Sequence, residues 1–420
     1  MATSFPHDVI IDILLLLPAK TLLRFKCTCK SWLSYIESQS FIKTHRDLQI
    51  INQDKKVLLS SSTSDEEYSY YYIIEKSSCL RKSLADHEID FLYSSKLPQE
   101  YLNETACIEY MSCCHGLVFM VISDGSMILW NPTTRKHHQI PKYNHTDIPP
   151  PSYYILPGVG NRLNYYCSQL GPAYSFGYDS SVDDYKILRL KREFNGHPIY
   201  VDMYSVNNKS WRTLGLLSSD WVIPSKQDSI MFGGAFHFLS HPIITNTRIP
   251  MKELMLSCCL VEEKFVKVYV PEVGMRHTNL CIVEQKLSIS GFTLWGVCSK
   301  FEVWSVMNYG KNCTTTYWSR TISINLELPT PNVLGSLNIL SARFVAEREV
   351  LLFTAYEYLL VSKGYLIYDT RKQQFLKIMG FPQFGMVNKL IEFPQCGIAI
   401  DHVETLVSPY PPHQIVCATS

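Results

Sequence analysis

The hydrophobic period of this chain changes near residue 50, and that change constrains the fold more than any other feature. Before it, apolar residues recur at steps of three and four; after it, they alternate in short runs broken by turn residues. Val9, Ile10, Ile13, Leu14 and Leu17 form one helical stripe, which Pro18 ends. Pro6 suits a first helical turn, and Asp8 is placed where the helix dipole favours an acid. Leu22, Phe25, Cys29, Trp32, Leu33 and Ile36 make a second run, broken near Thr28, and Phe41–His45 a third short piece.

The first helix carries more apolar surface than its neighbours can cover. Ile11, Leu15 and Leu16 lie off the main stripe, so apolar side chains wrap almost all the way round. A unit of about 45 residues buries too little of its own surface to bury such a helix. Of the two possible covers, the larger domain or a second protein, we expect the second protein.

The remainder reads as strands. Leu117–Ile122 and Met127–Trp130 flank an Asp124-Gly125 hairpin turn, ended by Asn131-Pro132. Tyr174–Tyr178, Tyr185–Leu190, Tyr200–Val206 and Ser210–Leu214 follow, with turns at Asn195-Gly196 and Asn207-Asn208. Leu254–Leu260, Phe265–Val270, Glu302–Val306, Val350–Thr354, Tyr358–Val361 and Tyr365–Asp369 continue the series. With no long helical pattern between them, the domain is expected to be all-β. A degenerate repeat runs through it: Trp130, Tyr204, Trp304 and Tyr368 each sit on an alternating strand that leads into a polar turn and a second strand, and a weaker unit is expected near 255–270. Four-stranded propeller blades fit this pattern, with room for about six or seven of roughly 50 residues.

Composition narrows the function. The 420 residues are 46% hydrophobic and carry a net charge of +1, which argues against a nucleic-acid face. The N-terminus has no basic run before Val9–Leu17, and that stretch is too short to span a bilayer, so a cytosolic chain with access to the nucleus is expected. Its 14 cysteines are then reduced thiols, and the sequons at Asn103, Asn144, Asn208 and Asn312 are chance matches. Cys113-Cys114-His115 has the composition of a metal site, as have Cys27/Cys29 and Cys258/Cys259, but none shows the paired Cys-x-x-Cys spacing of zinc, and neighbours on a strand face opposite ways. No metal or other cofactor is expected. His137-His138 reads as a polar turn. His45-Arg46-Asp47 lacks the rest of a kinase signature, and Gly158-Val159-Gly160 lacks a third glycine and a helix. Tyr143–Pro172 is a long loop rich in tyrosine and proline, with Tyr153, Tyr154, Arg162, Tyr165 and Tyr166 as candidate substrate anchors. Ser60–Tyr72 is a second, weaker loop of the same sort.

The string FPHDVIIDILLLLPAKTLLRFKCTCKSWLSYIESQSFIKTH closely resembles a plant F-box, with Phe5 and Thr28 in place of the usual leucine and valine. SCCHGLVFM (112–120), LWNPTTRK (129–136), FGYDSSVDDYKILRL (176–190), MYSVNNKSWR (203–212), GGAFHFL (233–239) and ETLVSPY (404–410) resemble the F-box-associated, kelch-like domain, especially its S-locus F-box-like branch. The resemblance implies a small all-α F-box (1–47), a connecting segment with the first propeller strands (48–110), an all-β, propeller-like substrate-recognition domain (111–410) and a tail (411–420). It implies a non-catalytic receptor subunit of a Skp–cullin–F-box ubiquitin ligase. Pro6, Ile10, Ile13, Leu14, Leu17, Pro18, Leu22, Leu23, Lys30 and Trp32 would bind the Skp-type adaptor, and through it a cullin and a RING subunit. The acid-free stretch holding Lys20, Arg24, Lys26 and Lys30 would suit an acidic adaptor. The β domain would hold a protein substrate; membership of the S-locus branch would make that substrate a pistil S-ribonuclease. The competing expectations are a propeller enzyme, for which no convergent ligand set or activated nucleophile is legible, and an F-box scaffold without ligase activity.

Overall fold

The computed structural model describes residues 6–52, 56–62, 69–75, 91–96, 108–143, 172–191, 199–217, 229–240, 254–271, 275–295, 298–309, 317–326, 337–345, 350–357, 362–369, 374–379 and 395–411. Its chain divides into two compact units, one of Met1–Lys142, Val206–Lys209 and Gly397–Ser420, the other of Tyr143–Ser205 and Ser210–Cys396.

Four helices open the first unit: α1 (His7–Leu16), α2 (Ala19–Phe25), α3 (Lys30–Glu37) and α4 (Gln39–Asn52). Pro6 and Pro18 stand at the N-caps of α1 and α2, where a missing N–H costs nothing, and Leu17 between the helices is extended. The second run breaks at 26–29, where Thr28 Oγ1 turns back on the Phe25 carbonyl. Ser38 separates the last two helices: its hydroxyl donates to Tyr35 O at 2.8 Å and accepts from Phe41 N at 3.3 Å.

Among the described residues the strands form six four-stranded antiparallel sheets. In the first unit, β1 (Lys56–Ser62), β2 (Ser69–Glu75) and β3 (Phe91–Lys96) are joined by the last strand, β24 (Gln395–His402), in the order β24-β1-β2-β3. Ser60–Tyr72 is therefore not one loop, as its serines and acids suggested: Ser60 pairs with Tyr71 across a hairpin. The second sheet runs in chain order through β4 (Ile108–Cys114), β5 (Leu117–Ile122), β6 (Met127–Asn131) and β7 (Lys136–Ile140). Here too a turn expectation is corrected. His137 and His138 lie in β7, paired with Trp130 and Leu129, because the turn is completed earlier by Pro132–Arg135.

Four sheets make up the second unit: β8 (Ala173–Asp179), β9 (Asp184–Lys191), β10 (Ile199–Ser205) and β11 (Ser210–Leu217); β12 (Ser229–Phe232), β13 (Ala235–Ser240), β14 (Leu254–Cys259) and β15 (Phe265–Tyr269); β16 (Arg276–Val283), β17 (Lys286–Trp295), β18 (Cys298–Met307) and β19 (Tyr317–Leu326); and β20 (Leu337–Val345), β21 (Val350–Glu357), β22 (Ser362–Asp369) and β23 (Gln374–Met379). Neighbouring sheets meet along their early strands, β8 against β12, β12 against β16 and β16 against β20, as propeller blades do. Phe236, Phe238 and Leu256 pack with Leu188, Leu190 and Val201 to fill the space between two of these sheets.

The register explains the repeat. Trp130 pairs with His137, Tyr204 with Trp211 and Tyr368 with Phe375, always from the third strand of a sheet to the fourth. Cys258, paired with Phe265, holds the same place in the unit expected near 255–270, so a buried thiol stands there instead of an aromatic ring. Burial pushes that thiol up to about 12. Trp304 pairs with Arg320 because a longer connection follows β18. Tyr358–Val361 and Asn195-Gly196 fall outside the described residues.

Candidate docking face and the segment behind it

Helix α1 has two apolar stripes with different fates. Ile10, Leu14 and Leu17 face inward; Leu14 is 2% exposed and packs with Ala19, Leu22, Ile36 and Phe41. On the other side, at the i, i+4, i+7 spacing of a single helical face, Val9, Ile13 and Leu16 are 41%, 52% and 70% exposed. Leu33 of α3 is exposed as well. Such a row of solvated aliphatic side chains on one short helix is the candidate docking face.

Sequence reasoning mixed the two stripes. Of the candidate adaptor residues, Pro6, Ile13, Pro18 and Lys30 are exposed, and Ile10, Leu17, Leu23 and Trp32 are half-buried. Leu14 and Leu22 are in the core of the helical unit and support the face from behind. Val9, Leu16 and Leu33, also exposed, were not among those candidates. A near-continuous apolar helix offers no periodic signal to tell its inner stripe from its outer one. The basic stretch is also partly committed: Lys20 pairs with Glu404 at 2.8 Å and Lys26 with Glu37 at 3.1 Å, leaving Arg24 and Lys30 on the surface.

Glu404 introduces an element that the sequence did not reveal. The segment 403–411, following β24, has no regular secondary structure and reaches both the helices and the β4–β7 sheet. Leu406, 5% exposed, completes the helical core. One residue from the far end of the chain thus closes the core of the N-terminal helices. On the sheet side, Asn131 Nδ2 donates to Thr405 O at 3.1 Å and to Val407 O at 2.7 Å. The two carbonyls, two residues apart, both face Asn131, so one amide serves both. The other end of Asn131 is fixed, its Oδ1 accepting from Thr133 N at 2.8 Å and Thr134 N at 3.2 Å. Thr405 Oγ1 donates to His115 O at 2.7 Å. Next to it Gly116 has φ +80°, and a Cβ there would lie 2.4 Å from Thr405 Oγ1 and 2.5 Å from Val403 O. His45, fully buried, donates from Nε2 to Leu17 O at 2.8 Å and so ties α4 to the end of α1; burial holds its pKa below the usual value.

Cys113 and His402 approach at 3.7 Å, while burial pushes His115 down to about 4, helped by the nearby Arg46 guanidinium. Among the described residues no group of three or more His, Cys, Asp or Glu is placed to hold a metal ion. Nor is any helix among them long and apolar enough to cross a membrane. The candidate substrate residues Tyr153, Tyr154, Arg162, Tyr165 and Tyr166 lie outside the described residues.

The chain thus combines a four-helix segment bearing an exposed aliphatic stripe with four-stranded sheets of the propeller-blade kind. Comparison with known families places it further. Residues 3–44 match the F-box domain and residues 86–383 the F-box associated beta propeller domain. The chain belongs to the F-box proteins with an F-box associated β-propeller. It is 30% identical to the F-box/kelch-repeat protein At3g23880 of Arabidopsis thaliana over 54% of this chain and 56% of that protein. It is 25% identical to the putative F-box/kelch-repeat protein At1g62270 of the same plant, over 77% of this chain and 80% of that one. With the plant's F-box/WD-40 repeat-containing protein 1 it shares 24% identity over 76% and 68% of the two chains.

Proposed function

We propose that this protein is the substrate-recognition subunit of a Skp–cullin–F-box ubiquitin ligase, docking its adaptor through Val9, Ile13, Leu16 and Leu33 and selecting a target protein with the β-propeller domain. The observation that carries the reading is the exposed aliphatic stripe of α1 within the segment that matches the F-box domain. Burying three such side chains is worth several kcal/mol at about 25 cal/mol per Å². Pro6 and Pro18 bracket the stripe, and Arg24 and Lys30 supply positive charge for an acidic partner. The division of labour follows the two kinds of structure: a helical docking segment over 1–47, first strands within 48–110, recognition within 111–410. No residue of the chain is assigned a bond-making step. Its contribution is proximity, raising the effective concentration of a target lysine near the activated ubiquitin. Such a role places the protein in the cytoplasm or nucleus. The motif resemblance to the S-locus branch supports a secreted ribonuclease as one target to assay.

The test is co-elution of the full chain with a purified Skp-type adaptor on a sizing column. The wild type is expected to form a stable complex, and a chain carrying Ile13→Asp and Leu16→Asp to elute separately with unchanged thermal stability. Undiminished complex formation by that variant would overturn the assignment of the face.

A further inference from the structure

We propose that the segment 403–411 is a clamp that locks the adaptor-docking helices to the β4–β7 sheet, so that the two move as one body. The inference rests on the docking role proposed above for α1. Three motifs singled out in the sequence turn out to be one assembly: His115-Gly116 after β4, Asn131 at the end of β6, and Thr405-Leu406-Val407 near the C-terminus.

Each part of the segment addresses a different neighbour. Glu404 and Leu406 engage the helices, the first by its ion pair with Lys20 and the second by completing the core of Leu14, Leu22 and Ile36. The carbonyls of Thr405 and Val407 and the hydroxyl of Thr405 engage the sheet. Successive residues of the segment thus grip opposite partners. Thr405 is fully buried, Glu404 and Leu406 nearly so. The fit leaves no slack, since Gly116 has no room for a Cβ against Thr405 Oγ1 and Val403 O. Ile400 on β24 anchors the approach by packing with Met111, Val118 and Trp130 of the same sheet. A receptor that delivers by proximity gains from such a lock. A freely swivelling docking head would spread a held lysine over many orientations, whereas a fixed head concentrates it.

Hydrogen exchange read by mass spectrometry on the full chain tests the clamp. Asn131→Asp keeps the oxygen that caps its own turn but sets a carboxylate oxygen against two carbonyls. Thr405→Val removes only the hydroxyl that reaches His115. Each is expected to speed exchange about tenfold or more in 403–411 and, in parallel, in α2 and α4. A change on the second unit, Asp202→Asn, is expected to leave that region's protection as it is. Faster exchange confined to 403–411 would overturn the clamp, as would no change in that segment with either variant. Adaptor capture by the same samples separates the two proposals: a wild type that captures no adaptor defeats the docking role, while the exchange pattern still decides the clamp.

Discussion

Leu14 and Ile13 are neighbours on α1 with opposite surroundings, and exchanging each for alanine separates folding from docking. Leu14 is 2% exposed, within a cluster of Ala19, Leu22, Ile36, Phe41 and Leu406. Truncating a leucine packed that closely removes transfer energy and leaves a cavity, together about 2–5 kcal/mol. The helical unit has no large core to absorb such a loss, so Leu14→Ala should unfold it at markedly lower denaturant and depress adaptor binding only through the unfolded fraction. Ile13 is 52% exposed, so Ile13→Ala removes little that folding had buried. Its loss is felt when the adaptor covers it: about 1–2 kcal/mol, roughly a tenfold weaker complex. Urea unfolding followed by exchange of the α1–α4 amides gives the first quantity, and titration with labelled adaptor the second. A Leu14→Ala protein of wild-type stability that fails to bind adaptor, or an Ile13→Ala protein that unfolds early and binds normally once folded, would refute the division of α1 into an inner and an outer stripe.

Two further outcomes concern the second unit. Arg189 donates to Asp202 Oδ2 from Nε at 3.1 Å and Nη2 at 2.8 Å while lying over the rings of Tyr143 and Trp211. Asp202→Asn strands that buried cation and should cost about 3–5 kcal/mol in urea unfolding, whereas Arg189→Met with Asp202→Leu should cost less; equal losses would contradict the argument. His237 is fully buried, with Nδ1 on Ser257 Oγ at 2.8 Å and Nε2 on Phe232 O at 3.1 Å, and burial pushes it down to about 4. Since its folded pKa lies below the unfolded value, stability is full above about pH 6.5 and falls as pH drops toward 4, by about 2 kcal/mol between pH 7 and 5. His237→Gln should flatten the unfolding curve by that amount, and an unchanged slope would show that His237 is not its source.

Much of the architecture was legible because it is written in local signals. The loss of helical period near residue 50, the Asp124-Gly125 turn and the pairing of Trp130, Tyr204 and Tyr368 with the strand that follows are all set within a dozen or so residues. The Cys258 unit was weaker in sequence because its marker is a small thiol, although the register is the same. What was not legible depends on distant chain. Nothing near Lys20 announces Glu404, and nothing near Leu14 announces Leu406, since both partners arrive from the other end of the sequence. Sequence pointed to a partner, rather than the larger domain, as the cover of the first helix. In the structure Leu406 reaches the inner stripe, and the outer stripe stays solvent-exposed. His137 and His138 look like turn residues by composition but are held in β7 by Trp130 and Leu129.

The claim that this chain joins a target to a ubiquitin ligase is tested most directly by purifying the full protein and its Ile13→Asp, Leu16→Asp variant from plant cells with the proteasome blocked, and quantifying what each retains. The account predicts that the wild type brings down a Skp-type adaptor, a cullin and a RING subunit together with ubiquitinated targets. The variant should keep the same targets, unmodified, and lose all three ligase subunits. Adaptor and cullin retained by the variant, or adaptor recovered with the wild type in the absence of any cullin, would contradict it.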